Sequence, residues 1–505
     1  MSQIKAGAFL SYVVVGLNSL VGILYTPYML RMLGQSEYGL YSLAASVIAY
    51  LGIMDFGFGN AIIRYTAKFR AENNIKRQHS LLGMFSIIYF CIGLVTFILG
   101  LILYFNTDLI FDKTLSNVEV EQTRIMMLLL AFNLGITFCF SVFGSAITAY
   151  EDFIYMRIVQ IFRIVLNTIV MIALLYYGYK AVAMVVTQTI FNFLTLFLNF
   201  VYFKYKLKLK LSFKNLEWGL LKEIGAYSFW IFIATIADRL YWSTGPFFLG
   251  AEIGAIAVAV FSVAVSLHHI YLSFSIAVSG VFLPKVSIMA AREASNMEMS
   301  NLFIKTGRIQ FIIISFFIAG FIIFGKPFIE LWAGKGYDES YYVAVIFFLS
   351  YLVVGIQMLG ITIIQARNQV AFRSKCIFLI GLFCIASQYF TSKHWGPTGC
   401  ALSIAIAYLL GDGVIMNYYY AKKQHLAICS FWKNIGKMAV IPIFFTIIGM
   451  IIFHNFSFSD TISLSIGIIA FSILYIPSFW KFSLNQYERE LILRPLAGML
   501  SKIKH

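Results

Sequence analysis

Asp238 and Arg239 stand inside an apolar run that begins at Ile224 and reads Ile-Gly-Ala-Tyr-Ser-Phe-Trp-Ile-Phe-Ile-Ala-Thr-Ile-Ala. Asp238 is 15 residues past Glu223, the last charge before the run. At about 1.5 Å per helical residue that is about 22 Å along the axis, inside a hydrocarbon layer roughly 30 Å thick. A charge at that depth costs about 2.5–3.5 kcal/mol on insertion scales, so both residues should face a bundle interior or a watered cavity. Neighbours on a helix point about 100° apart, so the two do not neutralise each other well. Each needs a partner elsewhere: an ion on another helix, or a bound headgroup.

Other charges near apolar spans have two readings each. Arg31, Arg64 and Arg163 sit within spans or at their edges. Arg163 lies so near a span's start that snorkelling to the cytoplasmic interface is the expected role. Asp55 opens Asp55-Phe-Gly-Phe-Gly-Asn60, with Arg64 four residues on. It is either a structural acid bonded to Arg64 or a freed amide, or a protonatable group. Its glycines, Gly57 and Gly59, would let backbones approach closely. Asp412, between Gly411 and Gly413, has the same two readings, and an intramembrane acid can couple transport to proton entry. His268-His269 lie in mid-span with no third ligand one turn away, so polar packing or substrate contact is expected and a metal is not. Pro27 should kink its helix. Asn18, Asn167, Asn192 and Asn199 are lesser polar candidates, and Tyr241, Trp242 and Trp332 read as interface-belt aromatics. The six cysteines lie in or near apolar runs with no C-x-x-C spacing, as small packing residues do. No P-loop, H-E-x-x-H, G-x-S-x-G or dinucleotide fingerprint occurs, so no enzyme chemistry, ATP hydrolysis or cofactor is expected.

The elements that carry these residues follow from composition. Of 505 residues, 60% are hydrophobic and 12% charged, with mean hydropathy +0.84, against about 25% charged in soluble domains. This is an all-α polytopic membrane protein. About fourteen spans are expected, at 6–30, 39–63, 80–105, 125–149, 158–177, 181–203, 223–243, 255–283, 309–329, 342–365, 376–391, 400–420, 438–454 and 462–480. The first is too long for a cleaved signal and reads as a signal anchor. The loops alternate in charge. One set, with both termini, holds 29 of the 38 Lys and Arg; the other holds seven beside ten acids. The positive-inside rule then puts both termini in the cytoplasm. The net charge of +16 follows that placement, and no nucleic-acid partner is expected. Lys204-Tyr-Lys-Leu-Lys-Leu-Lys is read as an orientation signal touching anionic membrane lipid.

Three matches recur at nearly constant offset. Leu33-Gly34 with Glu37 pairs with Leu249-Gly250 with Glu252, Ala149–Tyr155 with Ala366–Phe372, and Gly178-Tyr-Lys-Ala with Gly396-Pro-Thr-Gly. They imply two parallel six-helix repeats, 1–203 and 223–420. A basic linker, 204–222, joins them, and 421–505 adds two helices and a tail. A transporter of this build holds its ligand between the halves.

The pattern resembles the polysaccharide (O-antigen and capsule) flippases of the multidrug/oligosaccharidyl-lipid/polysaccharide exporter superfamily. The residues that carry it are Leu33-Gly34-x3-Tyr38-Gly39, Asp55-Phe-Gly-Phe-Gly-Asn60-x3-Arg64, Leu249-Gly250 and Gly396-Pro-Thr-Gly399. The resemblance implies alternating-access transfer of undecaprenyl-diphosphate-linked oligosaccharide across the bacterial inner membrane for surface-polysaccharide synthesis. A polysaccharide polymerase and a chain-length regulator are the protein partners it suggests. The diphosphate needs cations in a polar cavity, and the arginine fork suits phosphate. The candidate cavity residues are Arg239, Asp238, Arg64, Asp55, Asn60, His268 and Asp412. The coupling ion, H+ or Na+, stays open. The rivals are a cation-coupled multidrug antiporter, which predicts an acidic cavity, a peptidoglycan-precursor flippase, and a membrane-embedded glycosyltransferase or polymerase, which predicts a large outward loop.

Overall fold

Helices account for nearly all of the chain because the apolar runs leave backbone groups no partner in lipid except their own. The structure, a computed structural model, describes residues 3–214, 216, 218–367, 369–453, 456, 458, 460–491 and 493. Arg494, Lys502 and Lys504 of the expected basic tail lie outside the described residues. Among the described residues there is no strand. The order is α1 (Gln3–Leu51), a 3-10 turn (Gly52–Asp55), α2 (Phe58–Ala71), α3 (Ile75–Phe111), α4 (Asn117–Ala149), α5 (Phe153–Tyr176), α6 (Ala181–Tyr205), α7 (Gly219–Trp242), α8 (Thr244–Glu252) and α9 (Ala255–Ala291). Then come α10 (Asn296–Ala333), α11 (Asp338–Gly355), α12 (Met358–Ala366), α13 (Val370–Tyr408), a π-helical turn (Leu409–Ile415), α14 (Met416–Lys422), α15 (Ile428–Phe453) and α16 (Thr461–Phe482).

Eleven stretches of the described residues are long and apolar enough to cross a membrane. Two are long enough to cross twice: Phe9–Ala71, at 63 residues, and Val370–Lys422, at 53. Each is broken at a glycine with positive φ, Gly34 (φ 76°) in α1 and Gly396 (φ 54°) in α13. A side chain at either position would be strained. The large apolar side chains left exposed, such as Phe162 and Ile169 on α5 and Ile466 and Ile473 on α16, suit a lipid-facing surface.

The chain forms two compact units, Met1–Ser262 with Ser374–Cys400, and Val263–Arg373 with Ala401–His505. In the first, α3 and α4 cross closely because small residues meet there. A Cβ on Gly93 would lie 2.6 Å from the Gly135 carbonyl oxygen, and one on Gly100 would lie 2.2 Å from the Ala131 Cβ. The sequence-matched segments of α1, α8 and α9 also pack together. A Cβ on Gly39 would lie 1.9 Å from the Ala255 carbonyl oxygen, and one on Gly250 would press on Leu43. Gly39→Ala should therefore lower stability by about 1–3 kcal/mol, because the obstacle is backbone and must shift. Thermal melting of the purified protein checks this against Gly16→Ala. A Cβ at Gly16 meets nothing within 4 Å, so that variant should melt like the wild type.

Glu37 and Glu252 each pair with a lysine. Glu37 is buried, 3.3 Å from the Lys180 ammonium, and accepts from the Ala181 amide (3.3 Å) at the start of α6 and from Gln122 Nε2 (3.1 Å). A carboxylate there meets the positive end of a helix. Glu252 lies 3.2 Å from Lys393. Lys180 is two residues past Gly178 (φ 82°), and Lys393 is three before Gly396.

In the second unit, α10 packs against α11, α15 and α16. Gly307 sits where a Cβ would strike the Phe431 ring and the Ile356 carbonyl oxygen. Trp332, expected in an interface belt, is instead buried and lies along Phe328, ring centroids 5.8 Å apart. Tyr241 of the first unit is likewise buried, and its hydroxyl donates to the Ile377 carbonyl at 3.5 Å. Both side chains are buried within the protein, so the belt reading fails for these two.

Candidate functional site

Arg239 lies near the end of α7, half-buried, and lines a recess of about 310 Å³ inside the first unit. Its Nε is buried with no hydrogen-bond partner among the described residues. Arg163 of α5 lines the same recess. Between and around them come Asn133 and Thr137 of α4, Gln188 and Asn192 of α6, and apolar residues of α1. No Asp or Glu is among the residues that line it. The amides are held in place rather than loose. Asn192 Nδ2 donates to Asn133 Oδ1 (2.6 Å) and Thr137 Oγ1 (2.7 Å), and the Tyr41 hydroxyl donates to Gln188 Oε1 (3.1 Å). A fixed polar wall carrying two guanidinium groups and no lining acid has the chemistry to hold an anion.

This arrangement changes the reading of Arg163. It does not merely continue a basic interface; it shares a recess with the arginine singled out from the sequence. Asn192, a lesser candidate, is part of the wall. Asp238, beside Arg239, is exposed and does not line the recess. The helical turn of about 100° per residue separates the two, as expected.

The Asp55 stretch bends the chain. Phe56 (φ 51°) and Gly57 (φ 73°) are both left-handed, which breaks the path between the 3-10 turn and α2. Asp55 accepts from the Tyr89 hydroxyl at 2.7 Å. That tyrosine, not Arg64 or a backbone amide, is the partner found. Phe56 packs on Phe58 and Phe232, ring centroids 5.7 and 4.8 Å apart. A Cβ on Gly59 would make only ordinary contacts, so close backbone approach is not its role. Gly57 is required by its φ instead. Asn60 and Arg64 are exposed, and the Arg64 guanidinium stands 5.9 Å from the Tyr65 ring. Neither lines the recess.

Two further candidates meet in the second unit. Asp412 is buried in the π-helical turn, its carboxylate 3.7 Å from the Arg373 guanidinium. The extra residue of such a turn widens the helix, and these turns concentrate at functional sites. Asn417 spans the turn: its Nδ2 donates to the carbonyls of Asp412 (3.1 Å) and Gly413 (2.7 Å), and its Oδ1 accepts from Trp432 Nε1 (3.0 Å). Tyr408 precedes the turn and meets Tyr351 edge-on at 5.9 Å; Tyr351 in turn meets His268 at 4.9 Å. His268, Tyr351, Tyr408, Arg373 and Asp412 are thus one chain of neighbours. Arg373, counted from sequence with the basic loop residues, belongs to this interior pair. Among the described residues no group of three or more His, Cys, Asp or Glu converges on a common point.

Comparison with known proteins bears on the whole chain. Residues 4–290 match the family described as Polysaccharide biosynthesis protein. A Shigella flexneri protein named "Putative O-antigen transporter" is 22% identical over 427 residues, which are 82% of this chain and 96% of that one. Among solved structures, the lipid II flippase MurJ in an inward closed conformation superposes with a TM-score of 0.71 at 16% identity, over 96% of this chain and 99% of that one. An inward-facing multidrug resistance MATE family transporter of the MOP superfamily follows at 0.62 and 15% identity, over 82% and 99%. At these identities the structures speak for the fold alone, which is similar to that of the MurJ and MATE structures. With the family match covering more than half of its length, this multi-pass membrane chain belongs to the polysaccharide biosynthesis protein family.

Proposed function

We propose that the protein is an alternating-access flippase for undecaprenyl-diphosphate-linked oligosaccharide repeat units. It works in the bacterial inner membrane with both termini in the cytoplasm and supplies surface-polysaccharide synthesis. The observation that carries this reading is the recess with Arg163 and Arg239 and no carboxylate in its lining. A diphosphate esterified at both ends brings two negative charges that cannot cross hydrocarbon bare, and bidentate guanidinium contacts answer them. The amides of Asn133, Gln188 and Asn192 then offer neutral hydrogen bonds to sugar hydroxyls. The lining speaks against the multidrug antiporter, because an organic cation would meet two like charges there. The protein is a carrier on this reading, not an enzyme.

Competition for the purified protein tests it. A fluorescent undecaprenyl-diphosphate oligosaccharide should be displaced at least tenfold better by undecaprenyl diphosphate than by the monophosphate, and not by a lipophilic organic cation. Displacement by the cation at equal concentration would move the protein to the drug-antiporter reading.

Coupling is assigned to the second unit. Asp412, held by Arg373 in a widened helical turn, is the acid best placed to take up a proton while the rest of the cluster re-pairs. In Asp412→Asn, export should no longer respond to the transmembrane pH gradient while oligosaccharide binding persists. Export rates in vesicles with imposed gradients check this, and a wild-type response would remove Asp412 from coupling.

A further inference from the structure

The linker after α6 does more than join two stretches of helix. Leu209 is buried and Leu207 and Leu211 half-buried, while Lys206, Lys208 and Lys210 are exposed. The alternation seals the leucines onto a core that includes Phe69, Leu82 and Phe85. The run is pinned to α3: the Ser212 amide donates to the His79 carbonyl at 3.0 Å, and a Cβ on Gly83 would lie 2.1 Å from the Ser212 carbonyl oxygen. Gly83 therefore exists to let the linker lie against the helix. Lys204 and Lys214, also exposed, extend the basic row at each end.

Beside this row opens an apolar recess of about 640 Å³, within the range of about 300–1,000 Å³ typical of sites for small molecules. Its wall is aromatic, including Phe90, Phe143, Phe193 and Phe197, and the linker itself closes it with Leu211 and Phe213. Phe90, Phe193 and Phe197 are also exposed, so the recess opens on the surface. The linker thus presents ammonium groups on one side and completes an apolar cleft on the other.

We infer that this cleft and the lysine row together form a binding site for an anionic phospholipid of the cytoplasmic leaflet, with an acyl chain in the cleft and the phosphate on Lys206, Lys208 and Lys210. The occupant follows from charge and phase. The cleft is apolar and opens on the surface, and the exposed charges of the linker from Lys204 to Lys214 are all positive. The inference rests on the inside-positive orientation, not on the oligosaccharide site, which uses other residues. Each basic residue near an anionic surface is worth a factor of about five, so three give about a hundredfold preference over a zwitterionic lipid. Salt should weaken the preference.

Native mass spectrometry of the full chain, with phosphatidylglycerol and phosphatidylethanolamine in competition, tests the site. The wild type should retain phosphatidylglycerol about a hundredfold better. The triple variant Lys206→Gln, Lys208→Gln, Lys210→Gln should bring that ratio near one, while Lys422→Gln, Lys433→Gln, Lys437→Gln should keep it. Ile87→Trp, which fills the cleft from α3, should lose retention of both lipids with the melting temperature held. Glycerol 3-phosphate, a headgroup without chains, should not compete at concentrations that saturate the lipid. Equal ratios in the two triple variants, full retention in Ile87→Trp, or competition by glycerol 3-phosphate would each overturn the assignment. Oligosaccharide displacement should be unchanged in the linker variant, which separates failure here from failure of the flippase reading.

Discussion

Arg163→Ala combined with Arg239→Ala should stop surface-polysaccharide export and leave lipid-linked repeat units on the cytoplasmic leaflet. Hydrogen bonds to charged groups contribute about 1.5–3 kcal/mol each, or about 10- to 100-fold per arginine. Either single variant should therefore export weakly, and the pair should lose about 100- to 10,000-fold if the two contributions add. Lysine at either position keeps the charge and loses the fork, so it should recover only part of the binding. A purely structural role predicts something else. The guanidinium groups make no ion pair within 4.0 Å in the described structure, so alanine should leave the melting temperature nearly unchanged. Measured lipid-linked intermediate, surface polymer and melting temperature together separate the outcomes. Normal export by the double variant would end the case for this recess.

How far the sequence leads to this site is instructive. Charge placement sorts 36 of the 38 basic residues into two alternating loop sets, and the two left over are Arg163 and Arg239. The structure puts those two in one recess. That exclusion was available in the sequence. Position within the span pointed the other way for Arg163, because depth along one helix says nothing about which neighbour it faces. The polypeptide breaks were partly legible. Gly34 and Gly396 both fall in matched motifs, and both carry the positive φ that glycine permits. The role of Asp55 was not legible, since its partner, Tyr89, is an ordinary aromatic in an apolar run. Arg373 was hidden for a related reason. It sits among basic residues at a span's edge, and only the tertiary path brings Asp412 to it.

Glu488→Ala should be the most destabilising single change in the C-terminal part of the chain. Arg308, also counted from sequence with the basic loops, is 8% exposed, and Glu488 is 2% exposed. Arg308 Nε donates to Glu488 Oε1 at 2.5 Å and Nη2 to Oε2 at 2.8 Å. The fork also reaches the Ser483 carbonyl (3.3 Å) and Asn434 Oδ1 (3.4 Å). Glu488 Oε2 accepts from the Asn485 amide (2.9 Å), and Asn485 Oδ1 accepts from the Glu488 amide (2.9 Å), a reciprocal cap. The residues after α16 are thereby fastened to α10 and α15. Removing one partner of such a pair leaves an unmatched buried charge and costs about 3–5 kcal/mol. Replacing both need not, because well-packed apolar side chains of similar volume dispense with the desolvation of either ion. Glu488→Ala should thus melt well below the wild type, and Arg308→Met with Glu488→Met should regain most of the loss. A double-mutant cycle on melting free energies measures the coupling. Additive losses would mean that the two side chains act independently and that the tail is held by its apolar contacts alone. Neither group lines the arginine recess, so oligosaccharide displacement should follow the folded fraction in every variant of the cycle.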